Sequence, residues 1–407
     1  MTSLSESDFG KDWLSQFPDK DQSAATLLIN SLMLVSASAF AMGVNRLLAS
    51  ILKECRSLNK PMALYAEREM EKENGEVGAF FPNSQLGRAT GKGLPPIVTH
   101  ANKQEVGSEG ITATLITSFC RLNKTMALSH SGPDELRSKK VGTIVIVTDF
   151  VGSGNRICTM LDAFEKVATL QSWMSYHLIE FRIVAFSGTE YGLWQVRNHP
   201  LKPKISTLHA CPTFDEAFGG LELASIQDLC KRYPRKSSWP FGYGETGALI
   251  AFSHGIPNNA PSILHSSAKG WKPLFAGRST LASSLDDYAD TEEQLAVTSK
   301  KTIGVRGTRE LLKSRDSSIW VHTMLVLVAA RAGSRTVQKI AARTRLKMFE
   351  VEDVLRKTKA AGWTTEKHSI TRLGLTELRY MKWHADLSID VVQKQDEPYY
   401  PTQLRER

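Results

Sequence analysis

Val141 to Ala168 reads VGTIVIVTDFVGSGNRICTMLDAFEKVA, and the rest of the chain is organised around it. Its first seven residues are small or β-branched, with no polar residue at every second place. They predict a strand covered on both faces, as in a parallel sheet. From Asn155 onward Ile157, Met160, Leu161, Phe164 and Val167 recur at helical spacing, which lays one apolar stripe back against that sheet. Between strand and helix lies Asp149-Phe150-Val151-Gly152-Ser153-Gly154-Asn155-Arg156.

This turn suits a phosphate. Gly152 and Gly154 permit backbone conformations closed to other residues, and Ser153 offers a hydroxyl. The free N–H groups of the following helix point at whatever sits above its start. Arg156 places a cation in the first turn, where it opposes the helix dipole unless an anion is bound. Asp149 stands at the strand's end, and open α/β sheets take ligands beyond the carboxyl ends of their strands. A tight strand-to-helix turn without a ligand is the plain alternative.

Apolar strand, acid, short loop, Ser-Gly and helix together resemble the ribose-phosphate loop of type I phosphoribosyltransferases. In that family two adjacent acids hold the ribose hydroxyls and the loop cradles the 5′-phosphate. Asp149 matches the second acid, whereas Thr148 stands at the first and Arg156 at a late threonine. Several further segments widen the resemblance: Gly107-Ser108-Glu109-Gly110, Phe241-Gly242-Tyr243-Gly244-Glu245-Thr246-Gly247, Pro257-Asn258-Asn259 and Gly270-Trp271-Lys272-Pro273-Leu274-Phe275. Together they look like the divergent phosphoribosyltransferase-like proteins of bacterial conflict systems, some of them retron-associated antiphage effectors. The resemblance covers about residues 20–280.

It implies a mostly parallel α/β sheet with flanking helices and Asp149 as the catalytic acid. Thr148, Gly152, Ser153, Gly154, Asn155, Arg156, Ser108, Asn258, Asn259 and Arg278 would be ligand contacts. The implied ligand is a nucleotide or phosphoribosyl pyrophosphate, accompanied by magnesium, and the implied chemistry is that of a transferase or nucleotide-processing hydrolase. A retron reverse transcriptase with its RNA–DNA product would be the partner.

The 407 residues exceed one ordinary core and 42% of them are apolar, as in a globular protein of two or three domains. Five scattered cysteines without a CxxC indicate neither a disulfide frame nor a zinc site, and with no export signal a reduced cytoplasm fits. Uncharged Leu27 to Val44 continues with helical periodicity into Leu52. It reads as a buried or partner-facing helix rather than a membrane span, and its small residues suit either homo-oligomer contacts or packing on the sheet.

Pro61 to Glu67 predicts a first strand, and Ala79-Phe80-Phe81-Pro82 the end of another. Asn83 to Ser108 reads as a long loop, either a phosphate-facing flap or a surface insertion. Ile111 to Leu122 predicts a helix with a capping turn at Gly107-Ser108-Glu109. Leu178 to Ala185 repeats the strand pattern and ends at a second turn, Phe186 to Thr189. Residues 201–240 look less regular, with a helix over Phe214 to Cys230 and a basic loop from Lys231 to Lys236. Ala248 to Phe252 reads as one more buried strand. Pro257-Asn258-Asn259 would also serve as an unliganded turn. His254 and His265 lack metal-ligand spacing and read as structural; no metal-ligating set is found.

The expected domains are an N-terminal helical segment at 1–60, the α/β domain at 61–280, a linker at 281–317, a winged helix-turn-helix at 318–390 and a tail at 391–407. Charge separates them. Lys300 to Lys382 holds 19 Lys/Arg against 7 Asp/Glu, roughly +12 in a chain of +9, so the remainder is slightly acidic.

Within that basic region Ile319 to Ala332, Thr336 to Thr344 and Met348 to Ala361 predict three helices. Two short strands and a last helix from Glu377 follow, a layout that resembles a winged helix-turn-helix. Arg335, Lys339, Arg343, Arg345, Lys347 and the wing residues Lys367 and Arg372 are its candidate nucleic-acid contacts. Against DNA, the third helix opens Phe349-Glu350-Val351-Glu352-Asp353, and docking to a protein stays open. Two function classes follow from the whole chain. One is an effector held in check by a ribonucleoprotein; the other is a ligand-responsive DNA-binding regulator whose sheet domain is catalytically inactive.

Overall fold

The computed structural model describes residues 3–81, 88–95, 108–234, 238–280 and 315–395, with a few positions between 295 and 312. They fall into two units, Met1–Asp290 and Thr291–Arg407. Strands and helices are numbered in chain order.

The first unit is built on the strand read from Val141 onward. This β6 (Thr143–Val151) is flanked by β2 (Met62–Ala66) and β7 (Glu180–Gly188), with β5 (Ala127–Ser129) and β8 (Lys204–Ala210) outermost. All four pairings are parallel, in the order β5-β2-β6-β7-β8. Successive side chains alternate between two buried faces. Val145, Val147 and Val184 face α3 (Ala37–Ser57) and α4 (Ser108–Leu122), through Phe40, Val44, Leu48, Ala113 and Ile116. Ile144, Ile146 and Ile183 face the other way, onto a layer containing Ile157, Met160, Phe164, Leu170, Leu193 and Leu136. That layer consists of α5 (Pro133–Ser138), α6 (Asn155–Glu165), α7 (Ala168–Ser175) and α8 (Glu190–Arg197). Two apolar faces under two helical layers are what the unbroken strand sequence called for.

Several expectations are corrected. The segment from Leu27 to Leu52 is not one helix: α2 (Asp19–Asn30) ends, and Met33–Val35 forms β1. Ser36 then caps α3, its hydroxyl accepting from Ala39 N at 3.1 Å. The break is stabilised at a distance, because β1 pairs in parallel with β9 (Ile250–Phe252) in a separate two-stranded sheet. The strand expected at Ala248 to Phe252 is thus present but does not join the main sheet. Around this pair lies another core, holding Trp13, Phe17, Leu28, Ile29, Phe214, Leu229 and Ile263. Its helices are α1 (Asp8–Leu14), α2, α9 (Phe214–Ala217) and α10 (Gly220–Arg232), so the helix expected over Phe214 to Cys230 is broken at Phe218-Gly219.

Ala79 to Phe81 is not a strand. A hairpin of β3 (Lys72–Glu73) and β4 (Glu76–Val77) precedes it, turning at Asn74 and Gly75, both at positive φ. Phe80 and Phe81 are buried instead, Phe80 stacking on Phe164 at 3.9 Å between ring centroids. Most of the loop expected over 83–108 lies outside the described residues, as does nearly all of the 281–317 linker. Among the described residues no helix is long and apolar enough to cross a membrane.

The second unit contains α11 (Arg315–Arg331), α12 (Val337–Thr344), α13 (Met348–Ala360) and α14 (Arg372–Gln395). Val321, Leu325, Ile340, Val351, Leu355 and Leu378 are buried in it. The helices match the expected layout, but the wing is shorter than two strands: a single bridge joins Thr364 and Ile370. The last helix begins at Arg372, where Thr371 Oγ1 accepts from Gly374 N at 3.0 Å, so Arg372 lies on a helix and not on the wing. That helix runs to Gln395, into the expected tail; 396–407 lie outside the described residues.

Candidate functional site

The turn after β6 is fixed from three sides. Thr189, between β7 and α8, donates through Oγ1 to Gly152 O at 2.6 Å and accepts from Gly192 N at 3.0 Å, which joins the second strand-turn to the first. A Cβ at Gly152 would land on the Asn259 side chain. Gly154, the residue before α6, has φ 81°, and a Cβ there would lie 2.7 Å from Gly192 O. Gly154 is therefore needed for the left-handed turn and for the close approach of α8, whereas the sequence had suggested approach to a phosphate. Gly154 has no side chain to cap α6; Asn155 N donates to Ser153 Oγ at 3.4 Å, and the N–H groups of the first turn open toward the space over the turn.

Acids converge on this end of the sheet from three elements. Glu67 directly follows β2, and its N–H donates to Val147 O at 2.8 Å, extending the ladder by one residue and setting its side chain beside Thr148. Thr148 Oγ1 donates to Glu67 Oε2 and lies 3.3 Å from Asp149 Oδ1. Asp149 Oδ2 is 2.9 Å from His254 Nε2, whose ring packs between Phe40 and Phe252. Glu109, in the first turn of α4, pairs with Arg156 Nη2, and Arg156 Nε is 3.7 Å from Glu67 Oε1.

Glu67 is 7% exposed. Burial pushes its carboxyl up to about 6, with Asp149 and Glu109 adding to the rise and Arg156 and the Thr148 hydrogen bond opposing it. Arg156 thus has two carboxylate neighbours, and its place in the first turn of α6 has an explanation that needs no bound anion. Reasoning from sequence missed Glu67, read only as a strand's last residue, and took His254 as structural.

The remaining candidates gather less tightly. Asn259 Nδ2 donates to Tyr243 O at 2.9 Å and Thr246 Oγ1 at 3.1 Å, and Asn258 O accepts from Tyr243 N at 2.8 Å. These bonds hold the Phe241–Gly247 segment beside the turn, where Tyr243 Oη is 3.5 Å from Asn155 Nδ2. Arg278 meets the same region through its carbonyl, which accepts from Ile256 N at 3.0 Å, while its side chain is exposed. Ser108 opens α4, one residue before Glu109.

Among the described residues, one group has metal-like proximity: Asp162, Glu165 and His199. His199 Nδ1 accepts from Leu201 N at 3.2 Å, so the proton of the neutral ring is on Nε2, which donates to Asp162 at 2.9 Å. Neither ring nitrogen is then left for a metal.

A family model described as PRTase-CE matches residues 11–276, and one described as wHTH-PRTase associated matches 324–406. The chain belongs to the PRTase-CE family. No curated protein and no solved structure matches it.

In this PRTase-CE protein the winged helix sorts its basic residues by role. Arg335 Nη1 donates to Ala330 O at 2.6 Å, closing the end of α11. Arg345 takes the left-handed position after α12, with φ 63°. Lys339 and Lys347 lie at helix starts: Lys339 N donates to Thr336 Oγ1 and Lys347 N to Glu350 Oε2. Arg343 is half-buried in the last turn of α12, and Lys367 is exposed at the tip of the wing. The acids opening α13 are partly neutralised, since Asp353 pairs with Arg356 and with Lys357 at 2.7 Å. The hydrogen bond from Lys357 leads the causes that hold the Asp353 carboxyl below its usual range.

Proposed function

We propose that this PRTase-CE protein binds a phosphoribosyl compound, either phosphoribosyl pyrophosphate or a nucleotide. Its 5′-phosphate would rest on the Gly152–Asn155 turn and its ribose against Asp149. The observation that carries this reading is the glycine-led start of α6, whose first turn of N–H groups opens directly beyond a buried parallel strand that delivers Thr148 and Asp149 to the same end. Magnesium suits the donors present, because Asp149 offers the hard oxygen such an ion takes alongside substrate phosphates. When bound, it would neutralise charge on those phosphates. The reaction class is transfer from, or hydrolysis of, the phosphoribosyl compound, and the basic winged helix would dock the protein to a ribonucleoprotein or nucleic acid. The resemblance noted in the sequence gives this the setting of an antiphage effector associated with a retron reverse transcriptase.

Ser153→Asp tests the phosphate position. An acid just before α6 favours the helix dipole, so the variant should melt no lower than the parent. It should nevertheless bind phosphoribosyl pyrophosphate at least about tenfold more weakly by calorimetry, because like charges a few ångströms apart cost on the order of 1–4 kcal/mol. Equal affinity would place the phosphate elsewhere, and a parent that binds neither phosphoribosyl pyrophosphate nor nucleotides would end the reading.

A further inference from the structure

A ribose presents two neighbouring hydroxyls, whereas the turn itself supplies one carboxylate, Asp149, with Thr148 beside it. We infer that a second carboxylate comes from the neighbouring strand: Glu67 and Asp149, bridged by the Thr148 hydroxyl, form the acid pair that takes the ribose hydroxyls. The inference rests on the proposed phosphoribosyl ligand and adds a residue that the loop itself does not contain.

Three observations carry it. Glu67 reaches the position by backbone pairing, since its N–H bonds to Val147 O at 2.8 Å and leaves the side chain level with the end of β6. The Thr148 hydroxyl touches both acids, donating to Glu67 Oε2 and lying 3.3 Å from Asp149 Oδ1. A hydroxyl has one proton, so it serves one carboxylate at a time and leaves lone pairs on the other for a ligand. Finally, an acid 7% exposed is unfavourable for folding, and Arg156 Nε at 3.7 Å is the cation that keeps it ionised. Arg156 is then a positioning residue acting through Glu67.

The test compares ligands with and without ribose. The parent, Glu67→Gln and the double variant Glu67→Gln, Thr148→Asp are titrated with ribose 5-phosphate and with inorganic phosphate, and thermal melts are recorded on each. Glu67→Gln should weaken ribose 5-phosphate roughly ten- to a hundredfold, the worth of a hydrogen bond to a charged group, and leave inorganic phosphate unchanged. The double variant, which returns the acid to the strand itself, should recover most of the ribose 5-phosphate affinity. A parallel loss of both ligands would reveal a structural role, and unchanged ribose 5-phosphate affinity in Glu67→Gln would also overturn the inference while leaving the phosphate site intact. A parent that binds neither ligand overturns both this inference and the function on which it rests.

Discussion

A carboxylate buried as deeply as that of Glu67 weakens the fold that holds it. Its carboxyl titrates at about 6 in the folded protein against 4.5 for an ordinary glutamate. Above pH 6 it is ionised in both folded and unfolded chains, and the folded one carries the full cost, about 2 kcal/mol. As the pH falls from 6 to 4.5 the folded state takes up its proton first and the cost fades; below 4.5 both states are protonated and none is left. Glu67→Gln, which keeps the shape of the protonated acid, should therefore be more stable than the parent by about 2 kcal/mol above pH 7. The two proteins should converge near pH 4.5. Urea unfolding across that range measures it, and a variant less stable than the parent above pH 7 would mean that attraction to Arg156 outweighs burial. Stability gained where ribose affinity falls is the pattern of a residue kept for its ligand. Asp149 was legible in the sequence because strand, acid and glycines are contiguous. Glu67 and His254 were not, since they reach Asp149 only through the order of strands and the placing of a second small sheet.

At the scale of elements the unit of β6, turn and α6 was readable because each part has an unbroken local pattern. The run from Leu27 to Leu52 was misread for the same reason: its apolar spacing continues through a three-residue strand whose partner, β9, is far away in sequence. The Asn74-Gly75 turn signal was passed over, its strands being two residues each, and β8, an outermost strand exposed or half-buried over its first four residues, had too few apolar positions to stand out. The turn itself shows what the sequence leaves undetermined. Gly154 was readable as a special residue, but its constraint is the α6–α8 contact. Gly154→Ala combines an unfavourable positive φ with a Cβ 2.7 Å from the Gly192 carbonyl. It should cost about 3 kcal/mol whether or not a ligand is present. Denaturant unfolding reads this directly. A loss well below 1 kcal/mol would show that α8 can move away and that the turn is pliable.

At the scale of the whole molecule, charge divides the chain as the two compact units do. The region from Lys300 to Lys382 is basic, at roughly +12, and the remainder is slightly acidic. The α/β unit, Met1–Asp290, is close to neutral, with 29 Lys/Arg against 28 Asp/Glu, so long-range attraction to a polyanion should come mainly from the winged-helix unit. Within it the sequence named seven basic contacts without distinguishing their roles. Arg335 closes a helix end and Arg345 occupies a left-handed cap, so reversing either would disturb folding together with binding. Arg343 on α12 and Lys367 on the wing are better probes, being supported on different elements and not needed for a cap. If the unit grips backbone phosphates, the full chain should bind a double-stranded or RNA–DNA hybrid oligonucleotide with affinity that falls steeply as salt rises. Arg343→Glu with Lys367→Glu should then weaken binding by about tenfold or more and flatten the salt slope by roughly 2, one for each phosphate no longer neutralised. Melting temperature should stay that of the parent. Parent binding that does not respond to salt, or a double variant with unchanged slope, would assign this face to a protein surface.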